Sequence, residues 1–381
     1  MVGIGFAQVE PNRSILSKTY KNGKEMELKK NNRVGLGLIG CGNFSGVLAK
    51  AIKKSTKAEL VTCFDVVPGN RKWCSETFGC DQDESYEDLL RRDDIEGVLL
   101  VTPNAIHAEQ VVLAAQQGKH VYVEKPIANT IDDGKKIIDI CEKAGRILMV
   151  GHYFRRDPGN RKAKELIDRG MIGKPIMVEA NASGPGGFKL NPSKFRWYGD
   201  DSGCPGGMLM TSGIHHVEVF NYLLGPIKTV FSYFNKLYIP AEVEDVTSTI
   251  CQFESGILGY VGANYASPWA RWMYIYGTEA NLLVTVSNTD TSSDTLGKKH
   301  GGGEQFTERG SRLTLFEKGK DAREVSLGTG DSYLEEIEEF AHCIQTGAPP
   351  ETDGYGALAA LAFIRAAIES ARTGKPVEIR I

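Results

Sequence analysis

Apolar and polar positions follow two rhythms along this chain, and the change from one to the other falls near residue 151. From Val34 the text is regular. VGLGLIG (34–40) is an apolar run closed by glycines, as a buried parallel strand requires. Phe44, Val47, Leu48, Ala51 and Ile52 recur at the spacing of an amphipathic helix. AELVTCFD (58–65), GVLLVT (97–102), HVYVEK (120–125) and RILMVG (146–151) read as further strands. Between them stand helical segments at 106–118 and 131–144, and one that Ser85-x-x-Asp88 caps. Strand and helix in alternation predict a doubly wound α/β sheet, covered on both faces.

After residue 151 helical text (158–169) gives way to a Gly/Pro-rich stretch, 183–207, and then to a helix near 213–224. TVFSYFNKLYI (229–239), TSTICQF (247–253), ILGYVGANY (257–265) and WMYIYG (272–277) alternate as antiparallel strands do. A polar loop (292–305) follows, then a helix capped by Ser332-x-x-Glu335 and a last helix over 357–371. This half predicts an α+β domain with a large open, mostly antiparallel sheet. The expected division is an arm or extension at 1–32, a dinucleotide-binding domain at 33–151 and a substrate and oligomerisation domain at 152–381, whose last helix packs back on the first domain.

Composition narrows the function. Lys plus Arg is 45 and Asp plus Glu 48, a balance that argues against nucleic-acid binding, which needs a basic excess. No run reaches the ~18 apolar residues of a membrane helix. Eight cysteines, at 41, 63, 74, 80, 141, 204, 251 and 343, show no C-x-x-C pair and no zinc-ligand spacing. No metal is therefore expected, and scattered thiols fit a reducing cytoplasm.

The candidate chemistry gathers where strands end. Gly40-x-Gly42, with Asn43, Phe44 and then Ser45 in the third glycine slot, joins strand to helix as a dinucleotide turn does. Asp65 closes the next strand, where a carboxylate holds a ribose diol and repels a 2′-phosphate, so NAD is expected over NADP. Arg71, six residues on, is placed to soften that preference. Glu124-Lys125-Pro126 and the segment Thr102-Pro103-Asn104-Ala105-Ile106-His107 end two more strands in the same crevice. A lysine set against a cationic nicotinamide has its pKa depressed, which suits it to a reacting hydroxyl.

At these residues the chain resembles the Gfo/Idh/MocA oxidoreductase family. The glycine turn, Asp65, TPNAIHAE, VEKPIA, RRDPGNRKAKELIDRGMIGKPI (155–176), GGMLMTSGIHHVE (206–218) and DGYGALAALAFIRAAIESARTGKPVEI carry the resemblance, from about residue 34 to the C-terminus. It implies a Rossmann domain and an α/β domain, homodimers, homotetramers or higher oligomers, and NAD- or NADP-dependent chemistry on hydroxyls of sugars, glycosides and inositols. By position it makes Lys125 and His215 catalytic, the lysine on the substrate hydroxyl and the histidine on its proton. It places the cofactor on Gly40, Gly42, Asn43, Phe44, Asp65, Thr102, Asn104, His107, Glu124, Lys125 and Arg155. The substrate candidates are Lys125, Thr211, His215 and His216, the nearby Tyr153 and Asn160, and in the long loop Phe188, Trp197, Tyr198, Asp200 and Asp201, whose rings stack on sugar faces and whose carboxylates accept hydroxyl protons. Thr211 stands where the family has an aspartate; it hydrogen-bonds but is no base. Without that carboxylate His215 is expected to titrate near or below its reference of ~6.5. The expected reaction is NAD-dependent oxidation of a secondary hydroxyl, extending to glycosides at C3. Two alternatives stand beside it: a glycosidase that oxidises its sugar transiently and returns the hydride, and a non-catalytic dinucleotide sensor.

Overall fold

The computed structural model describes residues 33–184, 203–286 and 310–381. Its first half runs β1 (Val34–Ile39), α1 (Ser45–Lys54), β2 (Ala58–Phe64), α2 (Pro68–Phe78), β3 (Asp81–Gln82), α3 (Tyr86–Arg91), β4 (Gly97–Leu100), α4 (His107–Gln116), β5 (His120–Glu124), α5 (Ile131–Ala144) and β6 (Leu148–Gly151). The six strands form one parallel sheet in the order β3-β2-β1-β4-β5-β6. Strand order reverses between β1 and β4, and a crevice opens there at the carboxyl ends of the strands. β1 and β4 are buried at every position, which is why their sequences are apolar without alternation. Local signals act as written: Ser85 caps α3 by accepting from Asp88 N, and Gly145, at φ 61°, ends α5.

The second half contains α6 (Pro158–Asp168), β7 (Pro175–Ser183), a π-helical turn at Leu209–Gly213, α7 (Ile214–Leu224), β8 (Ile227–Asn235), β9 (Val246–Phe253), β10 (Leu258–Asn264), β11 (Ala270–Gly277), β12 (Ala280–Val286), β13 (Ser311–Glu317), β14 (Arg323–Val325), α8 (Ser332–Thr346), α9 (Gly354–Thr373) and β15 (Val377–Glu378). Nine strands form a sheet ordered β14-β13-β12-β11-β7-β10-β9-β8-β15, antiparallel except where β7 and β10 run parallel. The expected α/β architecture with a mostly antiparallel second sheet is present. Five strands in it, β7, β12, β13, β14 and β15, are not among the runs read from the sequence. β7 lies at the sheet's centre, yet its inward residues are Val178, Ala180 and Ala182, too small to mark an apolar rhythm.

Two boundaries are corrected. β8 stops at Asn235 rather than running on to Ile239, because the Asp245 carboxylate accepts from the backbone N–H groups of Leu237, Tyr238 and Ile239. The cap of α8 is Asp331, not Ser332: its carboxylate accepts from Leu334 N and also pairs with Lys54. α8 returns to the parallel sheet, where Ile337, Phe340 and Ala341 share a core with Leu36, Leu38, Leu48 and Ile52. α9 lies close on α5, since a Cβ at Gly134 would stand 2.6 Å from Leu358. No described helix is long and apolar enough to cross a membrane.

Candidate active site

The glycine turn leaves β1 through Gly40, whose φ of 88° and 2.6 Å clearance between an added Cβ and Val101 O admit no other residue. At Gly42 an added Cβ would meet nothing within 4 Å, which leaves backbone open to a ligand. Ser45, in the third glycine slot, is fully buried and donates its hydroxyl back to Gly42 O. Asp65 binds this turn directly: its carboxylate accepts from Cys41 N at 2.7 Å, Val67 N at 2.8 Å and the Asn70 amide at 3.3 Å. Arg71 is not free to meet a phosphate. It is turned inward, donating to Asp65 O and Glu84. Between this end and the next, the buried Asn104 Nδ2 has no protein partner. An open glycine, a carboxylate at the end of β2 and an orphaned amide donor are what a dinucleotide's pyrophosphate and ribose need.

Lys125 follows β5, precedes a cis peptide bond to Pro126 and donates from Nζ to Thr211 O at 2.9 Å. Thr211 lies in the π-helical turn ahead of α7, where the wider backbone spacing releases carbonyls from the helical ladder. Its hydroxyl is held by Gly207 O and Tyr265, so it is not directed at His215. His215 opens α7 and is 5% exposed, with Nδ1 unpartnered. Burial, then the charges of Lys125, His152, Arg271 and His216, hold its pKa well below the ordinary value. His216 is buried against Phe154, with its pKa pushed down to about 3 by burial and by Arg271.

A file of rings connects the two ends. Phe44 meets Tyr333 edge-on at 5.9 Å, Tyr333 lies 4.5 Å from Tyr153, and Tyr153 stands 4.9 Å from His215. Tyr333 and His152 went unmentioned in the sequence reading. His152, directly after β6, is fully buried with both nitrogens unpartnered and its ring 6.2 Å from His215. A histidine one residue past a parallel strand was the available signal, since strand ends line the crevice.

Several expected ligand contacts are taken up by the protein. Arg155 pairs with Glu218, donates to Glu351 O and stacks on Tyr222, so within the protein it clamps separate elements together. Asn160, fully buried, donates its Nδ2 to Phe154 O and leaves Oδ1 without a protein partner. His107 bridges Pro126 O and Thr102 O, both at 3.0 Å, joining the two loops beneath the crevice. The Thr102 hydroxyl donates to Gln110. Glu124 is buried under Lys125: it accepts from Lys125 N and neighbours the Tyr122 hydroxyl, and burial pushes its pKa up to about 7. Trp197, Phe188, Tyr198, Asp200 and Asp201 lie outside the described residues.

Comparison with known proteins agrees with this geometry. Residues 34–152 match the oxidoreductase family's NAD-binding Rossmann fold, and residues 164–379 match its C-terminal alpha/beta domain. A solved protein of Desulfitobacterium hafniense, provisionally named an NADPH-dependent oxidoreductase, is 34% identical with a TM-score of 0.83, over 91% of this chain and 98% of its own. The scyllo-inositol 2-dehydrogenase (NAD(+)) of Bacillus subtilis is 26% identical, over 92% of this chain and 97% of its own. A D-xylose 1-dehydrogenase (NADP(+)) of Haloferax volcanii is 28% identical, over 77% and 84%. The chain belongs to the Gfo/Idh/MocA family and is an oxidoreductase with a nicotinamide dinucleotide site.

Proposed function

We propose that this chain oxidises a secondary hydroxyl of a sugar or polyol with NAD, and catalyses the reverse reduction. The observation that carries the reading is the pairing of Lys125 with the Thr211 carbonyl, four residues before a buried, uncharged His215. When bound, the nicotinamide ring supplies the hydride acceptor. Lys125, already oriented by Thr211 O, would hold the substrate oxygen as it takes on alkoxide character. His215, neutral around pH 7, would take the hydroxyl proton. Tyr153 packs the imidazole in place. Asp65, with Arg71 turned away, supports NAD over NADP. The named activities of the inositol and xylose dehydrogenases support the substrate class. Within that class we place glycosides oxidised at C3. On the second sheet, exposed Tyr233, Ile250 and Leu258 support self-association through the open face.

The test is a panel of inositols, monosaccharides and glycosides with NAD, followed by NADH absorbance. Formation of NADH with a glycoside or polyol is the expected result. NAD binding without turnover in either direction would point to a sensor and overturn the reading. So would release of aglycone without net NADH, which marks a redox-neutral glycosidase. Free sugars reacting while every glycoside stays inert would overturn the C3 assignment alone.

A further inference from the structure

We propose that Cys41, Cys63 and Cys74, with Cys80 beside them, bind a thiophilic divalent ion of the zinc class under the dinucleotide end of the crevice. The sulfurs of the first three lie within 4.8 Å of one another, and all three residues are fully buried. Zn–S bonds of about 2.3 Å set tetrahedral sulfurs about 3.8 Å apart, so the cluster needs to close by about 1 Å at most. Cys80, half-buried between α2 and β3, lies outside the set of three and would have to turn toward it to supply the fourth corner. Four thiols and no carboxylate or imidazole select a soft d10 ion over magnesium or calcium. None of the eight cysteines is in a disulfide.

These sulfurs come from four separate pieces of the fold: the glycine turn, β2, α2 and the turn after it. That is why sequence spacing concealed them and predicted no metal. Each thiol that binds releases its proton to solvent, so three ligands carry a net charge of −1 with the ion and four carry −2. The buried Arg71 guanidinium opposes that charge; its Nε has no hydrogen-bond partner, and Arg71 O receives the Cys63 thiol. Small buried thiols also pack as plain apolar groups. Among the described residues, however, no other set of three metal-binding side chains converges in this way. A bound ion would fasten Cys41, between Gly40 and Gly42, to Cys63, two residues before Asp65.

The experiment uses the full chain, purified without chelator or oxidant from cells supplied with zinc and, separately, with cobalt. The expected results are one zinc per chain by mass spectrometry of the metal, and thiolate-to-cobalt charge-transfer bands with the d–d absorption of a tetrahedral site. Cys63→Ser should lose both, whereas Cys251→Ser, a buried cysteine of the other sheet, should keep them. Wild-type protein answers the question even if Cys63→Ser fails to fold. Metal-free protein with no cobalt bands and free thiols overturns the proposal, as does a disulfide among the four.

Discussion

The two ends of the crevice treat their polar groups in opposite ways. At the glycine turn most are satisfied from within: Asp65 accepts three hydrogen bonds, Ser45 bonds back to Gly42 O, and Arg71 is turned inward to Asp65 O and Glu84 with only its Nε left unpaired. At the reactive end His152 and His216 have no partner at either nitrogen and His215 has none at Nδ1. A buried polar group left unpaired costs about 1–3 kcal/mol, so such groups persist where a ligand completes them. On the proposed function the first end sets cofactor selectivity and the second does the chemistry. Substitutions should separate along that line.

The largest effect is expected at Lys125. Lys125→Met should lower kcat and kcat/KM together by about 10³-fold, because the interaction it loses strengthens in the transition state. NAD affinity, measured by fluorescence titration, should stay within about twofold, since its determinants lie at the other end. A variant with unchanged kcat and a raised KM would make Lys125 a binding residue and blur the comparison.

His215→Asn should follow, with a loss of about 10²-fold in kcat/KM. Burial and four neighbouring positive or protonatable groups hold the His215 imidazole below its ordinary pKa, so it charges only as pH falls below about 6.5. The wild-type kcat/KM profile for oxidation should thus show its acid limb below that point, and His215→Asn should erase it. His216→Asn should cost less than about tenfold. The reverse ranking would exchange the roles of the two neighbours.

At the other end the expected change is in preference and not in rate. Asp65→Ser should reduce the ratio of NAD to NADP affinity by about tenfold, as the charge that repels a 2′-phosphate is removed. kcat with saturating NAD should move little. Isothermal titration with both cofactors measures this, and an unchanged ratio would locate selectivity elsewhere.

These contrasts also show what the sequence could reveal. Local chemistry was legible: the glycine turn, the capping Ser85 and the apolar strands act through neighbours in the chain. Roles that depend on distant partners were hidden. Arg155 meets Glu218 and Glu351, 63 and 196 positions away, and nothing near it in the sequence distinguishes a clamp from a ligand contact. Thr211 was visible as a departure from the family pattern, but the π-helical turn that presents its carbonyl to Lys125 has no sequence mark. The cysteine cluster was hidden for the same reason, being assembled from separate elements.

The smallest effect concerns the layer beneath Lys125. There Tyr122 brings one hydroxyl proton to two carboxyls, Glu336 at 2.9 Å and Glu124 at 3.2 Å. It can donate to only one of them, so the other is best satisfied by being protonated and donating to the tyrosine oxygen. Burial acts in the same direction, raising Glu124 to about 7 and Glu336 well above its ordinary value. Relative to an unfolded carboxyl near ~4.3, Glu124 is raised in the folded state, so its contribution is fully present below about pH 4.3 and is lost as pH rises through about 7. Folding stability should fall across that window, by at most about 1.4 kcal/mol per pH unit for this one proton. A glutamine in place of Glu124 cannot ionise, and its amide can accept from Lys125 N while donating to Tyr122. Denaturant unfolding of Glu124→Gln between about pH 5 and 7 should therefore give a flatter profile than wild type, with NAD affinity unchanged. A profile as steep as wild type would mean that Glu124 is already charged at the acid end of that range, and that the reactive end rests on a carboxylate and not on a stored proton.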